Sequence, residues 1–297
     1  VSDPLQLFPG RVFVSTVLEA LVTKTTLSGA MARRYLQRAA MAGFLIGIFY
    51  VTHYAVVAAF DAVAVGGGAA GDPTTLRPIG RLVGAVVFGF ALVFIYWSRS
   101  ELLTSNMMIV SVGAYHRRTG WGHALRLLGL CYLGNALGGL VVAALLRVST
   151  LTDGPVLAEM VAAVEHKLAY ATDGPGGWAD LLVRAALCNF CINIAMLLVY
   201  NGLIKDDLTK AVVMIASVFV FAFLGLEHSV ANTVLFAIVG LEQGIAVGPA
   251  LGNVGLALLG NYVGGGLLVG FFYAYVNDDR RWLAGRPDRQ QQGPGGA

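Results

Sequence analysis

The sequence predicts an all-α integral membrane protein: six transmembrane helices forming two inverted three-helix repeats, with the second and fifth helices broken. Three observations carry this prediction. The 297 residues are 57% hydrophobic and 12% charged, with a mean hydropathy of +0.72, where soluble domains carry roughly 25% charged residues. Uncharged apolar runs long enough to cross a hydrocarbon core of ~30 Å recur along the chain. Finally, two polar interruptions fall inside such runs: Glu101-Leu-Leu-Thr104-Ser105-Asn106 and Glu227-His228-Ser229-Val-Ala-Asn232. Each is followed, 34 positions after its glutamate, by the asparagine of a glycine-rich motif. These are Asn135 in Leu133-Gly134-Asn135-Ala-Leu-Gly138-Gly139 and Asn261 in Leu259-Gly260-Asn261-Tyr-Val-Gly264-Gly265. Two copies of one unit, each with a broken span, mark an internally repeated channel or transporter. A transmembrane β-barrel would instead show segments of alternating polarity.

In chain order, residues 1–38 set Phe13, Val14, Val17, Leu18, Leu21 and Val22 among Glu19, Lys24, Arg33, Arg34 and Arg38. That spacing predicts an amphipathic helix on the membrane surface, either a gate or oligomer contact or a simple interfacial anchor. No secretory signal is expected, because Asp3 and Pro4 precede a first apolar run that starts only near Ala39. The first span, 39–60, carries His53, read as a core or interface histidine because no second metal ligand is near. Residues 61–80, with Pro73 and Pro78, read as a loop. The second span starts near Leu82, meets Arg99, Glu101 and the first interruption, and resumes from Met107 to Val112. A basic loop at 115–123 leads to a third span at 127–146. Residues 147–183 read as the longest connection. The fourth span, 185–204, bears Asn189 and Asn193. A charged turn at 205–210 opens the fifth span, which breaks at Gly225 to His228 and runs on to Val239. A Gly/Pro loop at 240–256 precedes the sixth span, 256–276, and the tail 277–297 is expected to be disordered. One membrane domain thus covers 39–276, with repeats at about 39–147 and 181–276.

Lys and Arg concentrate on the side holding both termini and the loops near 115 and 207, which places the termini in the cytoplasm of a multi-pass cell-membrane protein. Three spans per repeat is an odd number, so the halves must be inverted. No basic cluster interleaves with aromatics, so nucleic acid is not an expected partner. Cys188 and Cys191 have redox-motif spacing, but they and Cys131 sit in apolar runs and read as inert buried thiols. No cofactor, metal or enzymatic activity is called for.

Backbone cannot leave helical geometry in lipid unless it is buried in protein or lines a wet cavity, so matched breaks point to a central pathway. Half-helix N-termini there favour an anion, with Thr104, Ser105, Asn106, Ser229 and Asn232 as further donors. Glu101 and Glu227 read as structural, capping loop N–H groups or pairing with an arginine such as Arg99, since a pore-facing carboxylate would repel anions. His228, ionisable and deep in a span, reads as functional. Asn135 and Asn261 fit either role.

Glu-Leu-Leu-Thr-Ser at 101–105, Leu-Cys-Asn at 187–189, Gly-Leu-Glu-His-Ser-Val-Ala-Asn at 225–232 and Gly-Asn-Tyr-Val-Gly-Gly-Gly-Leu-Leu-Val-Gly at 260–270 resemble the formate/nitrite transporter family over about residues 3–275. The resemblance implies an aquaporin-like six-helix protomer in a homopentamer, with one pore per protomer for formate, nitrite, hydrosulfide or short-chain carboxylates. By position, His228 resembles the central pore histidine, Thr104 the threonine of the first break and Asn261 an asparagine nearby. Leu92, Leu102 and Ile192 match one hydrophobic constriction; Phe88 and Phe221 match the other. Lys167 resembles an outer-vestibule lysine and Asn189 a vestibule asparagine. Leu103 departs from the family's common phenylalanine, and the 168–180 stretch is longer than usual.

The expected function is a channel or transporter for a small weak-acid anion, formate or nitrite, moved with a proton as the neutral acid past His228. Alternatives are a hydrosulfide- or carboxylate-selective member, or a passive pore for a neutral solute such as glycerol. Glu-His in the break, in place of paired Asn-Pro-Ala boxes, disfavours the last.

Overall fold

The computed structural model describes residues 4–67 and 73–284. After a short turn of helix, α1 (Pro4–Leu7), the chain forms α2 (Arg11–Ala30) and α3 (Ala32–Asp61). An antiparallel pair, β1 (Ala64–Gly67) and β2 (Pro73–Thr75), leads to α4 (Arg77–Trp97). Then follow α5 (Leu103–Tyr115), α6 (Trp121–Arg147), α7 (Pro155–Thr172) and α8 (Gly174–Tyr200). The remaining helices are α9 (Asp207–Phe223), α10 (Ser229–Gln243), α11 (Val247–Asn261), a π-helical stretch (Tyr262–Phe271), α12 (Phe272–Val276) and α13 (Arg280–Ala284). Among the described residues, five helical runs are long and apolar enough to cross a membrane: 32–61, 77–97, 121–147, 174–200 and 247–276. The two expected breaks separate α4 from α5 and α9 from α10.

Several segments differ from the sequence expectation. The long connection at 147–183 is largely α7, because Met160, Val164 and Lys167 recur at i, i+4 and i+7 and bury one face against α3, α8 and α11. The Gly/Pro loop at 240–256 shrinks to the residues around Gly244; Pro249 stands in the first turn of α11, where its missing N–H is no loss. The apolar face of α2 (Phe13, Val14, Val17, Leu21) packs on α5 and α3, so protein rather than lipid covers it. Residues 277–284 of the expected disordered tail are held in place: Asn277 accepts from the Gly10 amide at 2.7 Å, and Arg11 pairs with Asp279 at 2.9 Å. The rest of that tail, 285–297, lies outside the described residues, as does 68–72 of the expected loop.

Several helix contacts recur in the first and second parts of the chain. α3 lies on α6 and α8 on α11, and α4 meets α9 between them. A Cβ on Gly138 would lie 1.8 Å from the Ala40 carbonyl oxygen; on Gly264 it would lie 1.9 Å from that of Ala186. Only glycine lets these helices approach so closely. The same pairing in both halves presents the two breaks to one central region.

Candidate functional site: two helix breaks and the passage between them

Each break is held by the asparagine that follows it. Asn135 donates Nδ2 to the carbonyls of Ala39 and Glu101, both at 2.8 Å, and its Oδ1 accepts from Leu103 N–H at 3.1 Å. Asn261 does the same with Ala185 (2.8 Å), Glu227 (2.9 Å) and Ser229 N–H (2.9 Å). Backbone groups freed by leaving the helix are thus satisfied inside protein. Both asparagines are fully buried.

Lysines, not Arg99, neutralise the glutamates. Glu101 pairs with Lys24 of α2 and accepts from Asn106 Nδ2 at 3.1 Å. Glu227 pairs with Lys167 of α7 at 2.8 Å and accepts from Asn232 Nδ2 at 2.6 Å. Lys24 extends the Val17–Leu21 stripe of α2 as Lys167 extends the Met160–Val164 stripe of α7. A lysine continuing a buried helical stripe was the signal that would have identified Lys24 from sequence. Asn106 donates to Glu101, Tyr35 and Cys131, and Asn232 to Glu227 and Asn253, so neither is a free donor for an anion. The Ser229 hydroxyl, by contrast, is fully buried with no hydrogen-bond partner among the described residues. Ser105 is half-buried and faces a cavity.

Asn189 is fully buried instead of standing in a vestibule. Its Nδ2 reaches the carbonyls of Thr104 (3.2 Å) and Asn261 (2.7 Å), and so ties one break to the other half. Asn193 adds a second bond to Thr104 O at 3.1 Å.

The breaks meet at His228 and Thr104. His228 is the N-cap of α10, where its Nδ1 accepts the Ala231 N–H at 3.1 Å. A ring accepting at Nδ1 carries its proton on Nε2, and Nε2 lies 3.3 Å from Thr104 Oγ1. Phe221 stacks beside the imidazole at 5.9 Å, and Phe88 meets Phe221 edge-on at 6.1 Å.

Two vestibules approach this point. One, of about 560 Å³, lies at the α4/α5 break and is lined by Lys24, Arg38, Arg99, Lys205 and Lys210 with Glu101. The other, of about 420 Å³, lies at the α9/α10 break and is lined by Arg77, Arg81, Lys167 and Arg184 with Glu159 and Glu227. Lys167 therefore stands in a vestibule wall, but buried and paired. His53 also lines this second vestibule, against Tyr54 and Phe88. Between the vestibules is an apolar gap of about 20 Å³, the scale of one water molecule. Leu92 and Leu102 bound the gap on the first side, Phe88, Phe221 and His228 on the second, and Ile192 lines it. The structure thus brings together all five expected constriction residues, Thr104 and His228.

Comparison with known proteins agrees with this geometry. A family model described as formate/nitrite transporter matches residues 11–275. A formate channel, FocA, from Haemophilus influenzae is 29% identical over 219 residues, covering 66% of this chain and 74% of that one. The nitrite transporter NirC of Escherichia coli is 27% identical over 209 residues, covering 69% and 73%. Among solved structures, an FNT family ion channel superposes with a TM-score of 0.74 at 23% identity, covering 89% of this chain and 98% of that one. A pentameric formate channel with formate bound superposes with a TM-score of 0.62 at 23% identity, covering 83% and 98%. With a helix-break pathway on the page and a family model spanning nearly its whole length, this chain belongs to the formate/nitrite transporter family.

Proposed function

We propose that the chain conducts a small monovalent weak-acid anion, formate or nitrite, across the cell membrane together with a proton. The carrying observation is the apolar gap of about 20 Å³ between two cation-lined vestibules. A bare carboxylate-sized ion would face a Born penalty of order 20 kcal/mol there, still several kcal/mol after relaxation. Protonating an acid of pKa about 4 at pH 7 costs only about 4 kcal/mol. Passage as the neutral acid is therefore the cheaper route.

In this reading the vestibules concentrate the anion. The Nε2–H of His228, beside Thr104, orients it at the gap, and the neutralising proton arrives through vestibule water. The Nδ1 cap supports this division of labour, because a doubly protonated ring could not keep accepting from Ala231 N–H. The chain transports without catalysing a reaction. The corresponding asparagine bonds and glycine contacts of the two halves support six spans in two inverted repeats, the sixth made by α9 with α10. The pentameric formate channel among the structural neighbours supports a homopentamer, and the bias of Lys and Arg supports cytoplasmic termini.

The test is uptake of labelled formate by proteoliposomes with and without an inward proton gradient. The gradient should accelerate wild-type flux. His228→Asn, which keeps an N-cap, should slow flux about tenfold, the scale of one charge-assisted hydrogen bond. Undiminished, gradient-independent flux in that variant would sink the role of His228.

A further inference from the structure

The ends of α4 and α9 have the same backbone but not the same residue. After α4, Arg99 N–H bonds Tyr96 O and Ser100 N–H bonds Ile95 O. After α9, Gly225 N–H bonds Ala222 O and Leu226 N–H bonds Phe221 O. The αL residue that ends the helix is Gly225 (φ 66°) in the second half and Arg99 (φ 56°) in the first. Glycine is the residue this conformation favours, because an L side chain is strained there. The first half therefore keeps a guanidinium at a position better suited to glycine, and that residue lines the α4/α5 vestibule.

The surrounding charges are not cancelled. Lys24 is committed to Glu101 and Lys210 to Asp207. Among the described residues, Arg38, Arg99 and Lys205 have no acidic partner and line the same cavity. The second break differs: Arg81 and Arg184 reach it from α4 and α8 and spend guanidinium bonds on the carbonyls of Phe223 (3.5 Å) and Gly225 (3.3 Å).

We propose that Arg99, with Arg38 and Lys205, forms a docking site for a small planar oxyanion at the α4/α5 vestibule. A guanidinium presents paired donors that match the two oxygens of a carboxylate or nitrite. A single-atom acceptor such as chloride can meet both donors only with bent, converging bonds, so the site selects the planar class before the apolar gap. This inference rests on the reading that the chain moves such anions.

The test is thermal unfolding of the purified full-length protein in detergent, titrated with sodium formate or with sodium chloride at matched ionic strength. Formate should raise the wild-type midpoint and chloride should not. Arg99→Gly should need about fivefold more formate for the same rise, the scale of an exposed charge pair. It should melt no lower than wild type without formate, because glycine suits the backbone. Arg99→Asn, which also tolerates the left-handed region, should repeat the result. Identical formate responses in wild type and both variants overturn the site, as does an equal response to chloride. Absence of formate flux through wild-type proteoliposomes would defeat the transport reading instead, and the binding shift would still decide the site.

Discussion

The two helix breaks share a frame and differ in what fills it. Glu101 matches Glu227, Asn106 matches Asn232 and Asn135 matches Asn261, with the same hydrogen bonds in each half. The residue that opens the second half-helix also has the same backbone, Leu102 at φ −107° and ψ 128° and His228 at φ −108° and ψ 112°. Leu102 gives no side-chain cap and faces the apolar gap, whereas His228 caps its helix and offers Nε2–H to Thr104. One frame thus supplies a hydrophobic lip on one side and a polar donor on the other.

The largest expected difference concerns the ion pairs. Lys167 and Glu227 keep 9% and 1% of their side-chain exposure, against 16% and 6% for Lys24 and Glu101. Lys167→Met should cost about 3–5 kcal/mol by leaving a buried carboxylate unpaired, and Lys24→Met less, because water reaches its pair. Thermal unfolding in detergent would compare them, and Glu227→Gln added to Lys167→Met should recover part of the loss. Equal losses from the two lysine variants would mean that burial does not separate the halves.

The asparagines sharpen the comparison from the other direction, because they should be equal. Asn135→Ala and Asn261→Ala each remove three hydrogen bonds from buried backbone groups. Each should cost about 2–3 kcal/mol in the same assay. A gap much larger than 1 kcal/mol between them would show that one break depends on other supports, with Asn189 and Asn193 on Thr104 O as the first suspects. The smallest effect is at the helix ends: Gly225→Ala should destabilise by about 1 kcal/mol, while the reverse exchange at Arg99 should not.

How much of this was legible in the sequence depends on how local the signal is. The breaks and their 34-residue spacing to the asparagines could be read because composition and repetition mark them, whereas the constriction residues came only from the resemblance to the family. Helix α7 was hidden because acidic residues and flanking Gly and Pro resemble a loop; its Met160–Val164–Lys167 stripe gains meaning only once α3, α8 and α11 exist to cover it. Lys24 and Lys167 illustrate the same limit, since the charge on each is tolerable only opposite a glutamate 77 or 60 residues away.

The sequence by itself determined that the chain lives in a bilayer and that two of its apolar runs are broken, each with an asparagine 34 positions after its glutamate. Hydropathy and repetition are properties of the chain and survive without a fold. Only the tertiary structure decided which polar groups face the passage. Asn106, Asn189, Asn232 and both glutamates are held by backbone and partners, while His228 lines the gap and lies 3.3 Å from the buried Thr104, 124 residues away. The physical reason is that a buried polar group must find a partner, and the choice of partner depends on which helices lie within 3 Å of one another.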